Sequence, residues 1–258
     1  MLNVCVAGAT GWTGRAIAEA VEDADDLTLR SAVSRSAAGT KLHGAPVHAT
    51  VEEALAGVDV LVDYTSHEVA KDHALTAIGR GVAVVIGTSG LTADDYAEIE
   101  AAAEEGGVGV VAAGNFSLTA AMAQAAALVA ARHLPSWEVI DYASAGKPDV
   151  PSGTSRELAE RLDEVHAPEV ERRVEDVAGP REARGATVGG TQVHSLRLPS
   201  FVVSTEVVFG MPDERLVIRH DAGGTPAPYV AGTLLAVRRA PEVTGLVRGL
   251  DTLLAWKS

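Results

Sequence analysis

The first half of the chain alternates short apolar runs with stretches of helical spacing. Asn3–Ala7, Leu27–Val33, Val58–Asp63, Val82–Ile86 and Val108–Ala112 read as strands. Between them Trp12–Glu22, Val69–Ile78 and Ala93–Ala103 read as helices, the last opened by Thr92 as N-cap. This order predicts strand–helix–strand units and a doubly wound parallel sheet, an α/β domain. Thr50-Val51-Glu52-Glu53 fits a capping box at the start of a further short helix.

The pattern changes after Asn115-Phe116-Ser117. Ser117 is placed to cap an alanine-rich helix that runs toward His133 and stops at Leu134-Pro135. Trp137–Ala143 alternates as a strand, Thr154–Leu162 is helical, and Thr191–Leu198, Phe201–Phe209 and Arg215–His220 follow as three strands. Their short links, Pro199-Ser200 and Met211-Pro212-Asp213, predict an antiparallel sheet in a second, α+β domain. From Pro228 to Leu254 the spacing of Leu234, Leu235, Leu246, Leu250, Leu253 and Leu254 is helical again and predicts a return to the first domain. The expected domains are therefore 1–116 with 224–258, and 117–223. The charged stretch Glu169–Arg173 reads as a solvated helix face or loop.

Composition narrows the function. Of 258 residues 47% are hydrophobic and 22% charged, enough for one large core or two modest ones. The longest apolar runs are too short to span a bilayer, and the opening residues enter a strand rather than a signal peptide, so a soluble, cytoplasmic protein is expected. A net charge of −14 opposes binding to nucleic acid. Cys5 lies in an apolar strand and reads as a core residue. The histidines at 43, 48, 67, 73, 133, 166 and 220 show no metal-ligand spacing, and His194 reads as a strand histidine; no metal is expected.

Immediately after the first strand comes Gly8-Ala9-Thr10-Gly11-Trp12-Thr13-Gly14, a run that opens a helix. Glycines there allow a tight turn and close approach of a pyrophosphate to the helix amides. At the end of the second strand, where an acidic residue would hold ribose hydroxyls, the chain has Ser34-Arg35-Ser36. Arg35 suits a 2′-phosphate, which favours NADPH over NADH. Tyr64-Thr65-Ser66 and Gly87-Thr88-Ser89-Gly90, at two further strand ends, are placed to line the ribose and nicotinamide.

The densest chemistry is Lys147-Pro148-Asp149-Val150-Pro151-Ser152-Gly153-Thr154, leading into a helix. Ser152, Gly153 and Thr154 offer amides and hydroxyls at a positive helix end, and Lys147 adds a charge, so the loop reads as a carboxylate site. Lys147 is one of four lysines, with Lys41, Lys71 and Lys257.

The glycine run, the Gly-Thr-Ser turn, Asn115-Phe116-Ser117, the Lys147–Thr154 loop, Arg184-Gly185 and Val193–Pro199 stand in the order and spacing of the dihydrodipicolinate reductases, which this chain resembles over nearly its whole length. The Lys-to-Thr loop is the most specific of these elements. The resemblance implies a Rossmann-like cofactor domain, a substrate and oligomerisation domain with an open mixed sheet, and usually a homotetramer assembled through those sheets. It implies reduction by NAD(P)H of the ring derived from 4-hydroxy-tetrahydrodipicolinate, in lysine and diaminopimelate synthesis. Asn115 and Phe116 join the cofactor residues by resemblance, and Lys147, Ser152, Gly153 and Thr154 hold substrate carboxylate. The family's histidine pair, whose first member donates a proton, falls on Ala143 and Ser144, and Trp12-Thr13 replaces an Arg-Met pair. Ser144 can still hydrogen-bond substrate; the proton then comes from water, Lys147 or another group. Two alternatives stay open: a reductase of another cyclic imine or enone acid, and a non-catalytic cofactor-binding protein.

Overall fold

The computed structural model describes residues 1–254. Two compact units emerge, Met1–Leu118 together with the chain from Thr225, and Thr119–Gly224. Lys257 lies outside the described residues.

The first unit is a sheet, parallel except at its Lys41–His48 edge, wrapped by helices. In chain order it contains β1 (Leu2–Ala7), α1 (Trp12–Glu22), β2 (Leu27–Val33), β3 (Lys41–Leu42), β4 (Ala45–His48), α2 (Val51–Ala54), β5 (Val60–Asp63), α3 (His67–Ile78), β6 (Ala83–Ile86), α4 (Ala93–Gly106) and β7 (Gly109–Ala112). The second unit holds α5 (Leu118–Ala131), β8 (Ser136–Ala143), α6 (Gly153–Val165), β9 (Ala186–Val188), β10 (Thr191–Arg197), β11 (Val203–Met211) and β12 (Glu214–Asp221). α7 (Ala227–Arg239) and β13 (Gly245–Arg248) then complete the first.

The large sheet runs β13-β7-β6-β5-β1-β2-β4-β3. β5, β6 and β7 are buried at every position, the signature of parallel strands covered on both faces. Strand order reverses beside β1, which pairs with β2 on one side and β5 on the other. A doubly wound sheet opens its ligand crevice at such a reversal, outside the carboxyl ends of the strands. Cys5 is wholly buried in β1, and burial pushes its thiol up to about 12.

Several elements differ from expectation for identifiable reasons. The stretch around Leu246 is strand β13, paired in parallel with β7, not helix. Gly245 and Gly249 bound it with φ of +79° and +85°, backbone that breaks a helix at both ends. β3 and β4, absent from the expected set, form a hairpin through His43 and Gly44 at φ +49° and +86°. At α2 the Thr50 hydroxyl accepts from Glu53 N, but the Glu53 carboxylate reaches Ala49 N, so only half of the expected box forms. At α4 the complete box is present, between Thr92 and Asp95.

The small sheet runs β12-β11-β8-β10-β9. It is mixed rather than antiparallel throughout, because β10 pairs in parallel with β8 while β11 pairs with β8 from the other side. The link 198–202 therefore passes over the end of β8 instead of making a hairpin. Leu198 N donates to Ala143 O (3.1 Å) and Ser144 N to Val202 O (3.3 Å). The inward positions Trp137, Val139, Val193, Val207 and Phe209 pack on Ala127, Ala131, Leu158 and Leu162 of α5 and α6. Residues 169–173 form an exposed loop.

Candidate active site

The cofactor half is built at the β1–α1 turn. Gly8 has φ +78°, and a Cβ there would lie 2.2 Å from the Tyr64 carbonyl oxygen; one at Gly14 would lie 2.2 Å from Gly8 O. Glycine is thus required at both places for the turn to pack against the backbone of Tyr64 and for α1 to pack against the turn. Gly11 is the N-cap of α1 without any side-chain capping bond, so no side chain claims the positive helix end. Thr10 Oγ1 meets Ser34 Oγ at 2.8 Å, linking the glycine turn to the end of β2. Ser34 is buried there, Arg35 beside it is exposed, and residues 34–36 carry no carboxylate. Trp12 is 54% exposed and meets Tyr229 edge-on, with ring centroids 6.1 Å apart. Thr13 is half-buried in the first turn of α1.

At the end of β5 the side chains point inward. Tyr64 packs edge-on against buried Phe116 and its hydroxyl meets Thr233 Oγ1 at 2.7 Å; burial pushes the phenol up. A Cβ on Gly87 would lie 2.2 Å from the Tyr64 ring, so the glycine makes room for it. Tyr64, expected among the cofactor contacts, thus has its ring committed to the interior, and its backbone is what borders the glycine turn. Thr65 and Thr88 both bond to the buried carboxylate of Asp63. Ser89 is exposed, and Asn115 accepts from Ser117 N at 2.8 Å.

The carboxylate loop of the second unit hangs on another buried aspartate. Asp141 occupies an inward position of β8 with no exposed surface. Its Oδ1 accepts from Ser152 Oγ (2.6 Å) and Ser155 Oγ (3.1 Å). Its Oδ2 accepts from Ser152 N (3.0 Å), Ser195 Oγ (2.9 Å) and Arg197 Nη2 (2.8 Å). Burial alone would raise this carboxyl; the bonds from Ser152, Arg197 and Ser195 outweigh it and hold the group below its ordinary value. Arg197 Nη2 also donates to Asp149 O (2.7 Å), fastening the middle of the loop to β10. Lys147 lies in the turn after Ser144, its Nζ 2.8 Å from Asp149 Oδ1. The Val150–Pro151 peptide is cis.

Ser152 caps α6 by accepting from Ser155 N, and its single hydroxyl proton goes to Asp141. Its side chain therefore shapes the loop, and the amide end of α6 at Gly153 and Thr154 is the part suited to an anion. Among the described residues Arg197 Nε and Asp149 Oδ2 are buried without a protein partner. His194 lies on the opposite face of the sheet, where Nε2 meets Glu138 Oε2 at 2.7 Å and Arg184 pairs with the same carboxylate.

Comparison with known proteins resolves the family. The description "Dihydrodipicolinate reductase, N-terminus" matches residues 2–116, and "Dihydrodipicolinate reductase, C-terminus" matches 114–254. The chain belongs to the dihydrodipicolinate reductase family. A 4-hydroxy-tetrahydrodipicolinate reductase of Moorella thermoacetica is 37% identical over 98% of both chains. One from Halalkalibacterium halodurans is 33% identical over 98% of this chain and all of the relative. The solved dipicolinate-bound dihydrodipicolinate reductase of a Paenisporosarcina species superposes with a TM-score of 0.78 at 25% identity, covering 98% of this chain and 99% of that one. Membership of this reductase family makes the chain an oxidoreductase with a nicotinamide cofactor and a small-molecule substrate. Among the described residues no helix is long and apolar enough to cross a membrane.

Sequence reasoning passed over Asp63, His73, Asp141 and Ser155. A signal existed for Asp141: in the alternation Trp137, Val139, Asp141, Ala143 it is the one charge on the inward face of a strand. Asp63 likewise closes an otherwise apolar, fully buried strand.

Proposed function

We propose that this protein is a 4-hydroxy-tetrahydrodipicolinate reductase that draws on NADPH, working in lysine and diaminopimelate synthesis. The observation that carries this reading is the Lys147–Thr154 loop, in which the Lys147 ammonium and the amide end of α6 lie on one short segment fastened from behind by the buried Asp141–Arg197 pair. Lys147 and the amides of Gly153 and Thr154 bind and orient a ring carboxylate, with Ser144 as a further hydrogen-bonding group. The nicotinamide, when bound, supplies hydride. Gly8, Thr10, Gly11, Trp12, Thr13 and Gly14 hold the pyrophosphate; Ser34 and Arg35 take the adenosine ribose and its 2′-phosphate. The backbone at Tyr64, with Thr65, Gly87, Thr88, Ser89, Asn115 and Phe116, shapes the nicotinamide end.

The test is NADPH oxidation with the freshly generated ring substrate, followed at the nicotinamide absorbance. Lys147→Ala is expected to weaken pyridine-2,6-dicarboxylate by roughly ten- to a hundredfold, the worth of one charge-assisted hydrogen bond of about 1.5–3 kcal/mol, and to lower turnover. Equal affinity by calorimetry would remove Lys147 from the site. Arg35→Ala is expected to shift the ratio of NADPH to NADH dissociation constants about tenfold toward NADH. An unchanged ratio would show that Arg35 does not read the phosphate.

A second reading is favoured by Ala143 and Ser144 at the family's histidine positions. Smaller, less basic side chains there suit a different cyclic imine or enone acid, and negligible turnover of the family ring with intact NADPH binding would select it. We further place the protein in the cytoplasm as a homotetramer formed through the open face of the small sheet. Its half-exposed Glu138, Ile140, Tyr142, His194 and Val208 support that assembly.

A further inference from the structure

We infer that Asp63 and His73 are positioning residues of the cofactor site, which fix the Thr65 hydroxyl as a hydrogen-bond acceptor and so require a donor from the nicotinamide half of the cofactor. The inference rests on the cofactor site proposed at the β1–β5 crevice.

Asp63 is fully buried at the carboxyl end of β5. A carboxylate persists in such a place only when donors surround it. Oδ1 accepts from Thr65 N (3.0 Å), Thr65 Oγ1 (2.6 Å) and Thr88 Oγ1 (2.6 Å). Oδ2 faces His73 Nδ1 at 2.7 Å, from α3. An ionised carboxylate only accepts, so Nδ1 carries the proton. The Thr88 hydroxyl also accepts from Thr65 N (2.8 Å), and Gly87 N donates to Asp63 O (2.9 Å). One buried anion thus ties together the loops that follow β5 and β6.

The consequence is one of polarity. A threonine hydroxyl owns one proton, and both threonines give theirs to Asp63. Thr88 is buried and acts as a brace. Thr65 is half-buried and abuts the glycine turn, its N lying 3.3 Å from where a Gly8 Cβ would stand. Toward a ligand its oxygen presents lone pairs alone. It suits a ribose hydroxyl or the carboxamide amino group and disfavours a carboxylate or a phosphate oxygen. His73 completes the set: without its donor Oδ2 is left under-satisfied, and Asp63 can turn away from the threonines to recover a partner.

The experiment measures NADPH dissociation constants for the full-length wild type, Asp63→Asn, His73→Leu and His73→Asn. Pyridine-2,6-dicarboxylate affinity and thermal melting report on the rest of the chain. Asp63→Asn places an amide donor among donors and is expected to weaken NADPH at least tenfold. His73→Leu is expected to weaken it severalfold, and His73→Asn, whose amide nitrogen occupies the Nδ1 position, to restore it to within about twofold of wild type. Dicarboxylate affinity should not change. The acetylpyridine form of the cofactor, which lacks the amino donor, and a form with a deoxygenated nicotinamide ribose separate the two sources: a loss of wild-type affinity confined to the first assigns the carboxamide, and one confined to the second assigns the ribose. Wild-type affinity in folded His73→Leu and Asp63→Asn, or equal loss in both His73 variants, overturns the inference; the His73 pair decides it if Asp63→Asn does not fold. Failure of the wild type to bind NADPH or NADH would instead overturn the cofactor-site reading.

Discussion

Replacing Asp141 by alanine is expected to destabilise the second unit by about 3–5 kcal/mol, the usual cost of removing one partner from a buried ion pair. Arg197, with little of its side chain exposed, would lose its carboxylate, and Ser152, Ser155 and Ser195 would lose their common acceptor. Urea unfolding should show a lower midpoint, and dicarboxylate affinity should fall with it because Ser152 and Asp149 no longer have fixed places. Ser195→Ala, which deletes one donor to the same carboxylate and leaves the other bonds in place, should cost less, about 1.5–3 kcal/mol at most. The pH dependence has a defined sign. The folded-state carboxyl is held below its ordinary value near 3.8, so its stabilisation is complete above that value and is lost as pH falls through the folded one. The stability gap between wild type and Asp141→Asn should therefore narrow in acid. A variant that melts with wild type at neutral pH would show that the network contributes nothing.

What could be read from the sequence follows the range of the forces involved. α1 and β2 begin and end where the pattern puts them, at Trp12–Glu22 and Leu27–Val33, because apolar period and neighbouring glycines act within a few residues. The Thr92 box is local in the same way. β13 was hidden because leucines spaced for a helix outvoted Gly245 and Gly249, whose positive φ decides the matter. The parallel pairing of β10 with β8 depends on a link that crosses a strand end, which no periodicity reports. In the site, the Lys147–Thr154 loop was legible as a motif, but what holds it was not. Asp141 finds Arg197 56 residues away and Ser195 54 away, and neither separation leaves a mark on local pattern. Nor does local pattern report that the hydroxyls of Ser152 and Thr65 each give their proton to a buried aspartate.

The missing histidine pair is the point where membership and mechanism pull apart, and it carries the last prediction. Ala143 is fully buried at the end of β8, beneath the link 198–202, with its oxygen bonded to Leu198 N. Ser144, next along, is half-buried and turns toward Lys147, whose N donates to Ser144 O at 3.0 Å. An imidazole at Ala143 must displace packed atoms, which typically costs about 1–3 kcal/mol, whereas one at Ser144 meets less resistance. If the family ring is the substrate and protonation limits the rate, a general acid restores up to about 10²–10⁴-fold, less where placement is unrefined. Ala143→His and the double variant with Ser144→His are therefore expected to raise turnover on the family ring while lowering the melting temperature. Their rate profiles should gain an ionisation in the histidine range near pH 6.5 that wild type lacks. A structural control is available in Ala143→Leu, which fills the same space without a proton and should lower both stability and rate. Rates that stay negligible in wild type and histidine variants alike, with NADPH bound by all, would exclude the family ring as substrate. The small side chains at 143 and 144 would then mark a pocket shaped for another cyclic acid, with the Lys147 loop still serving as its carboxylate anchor.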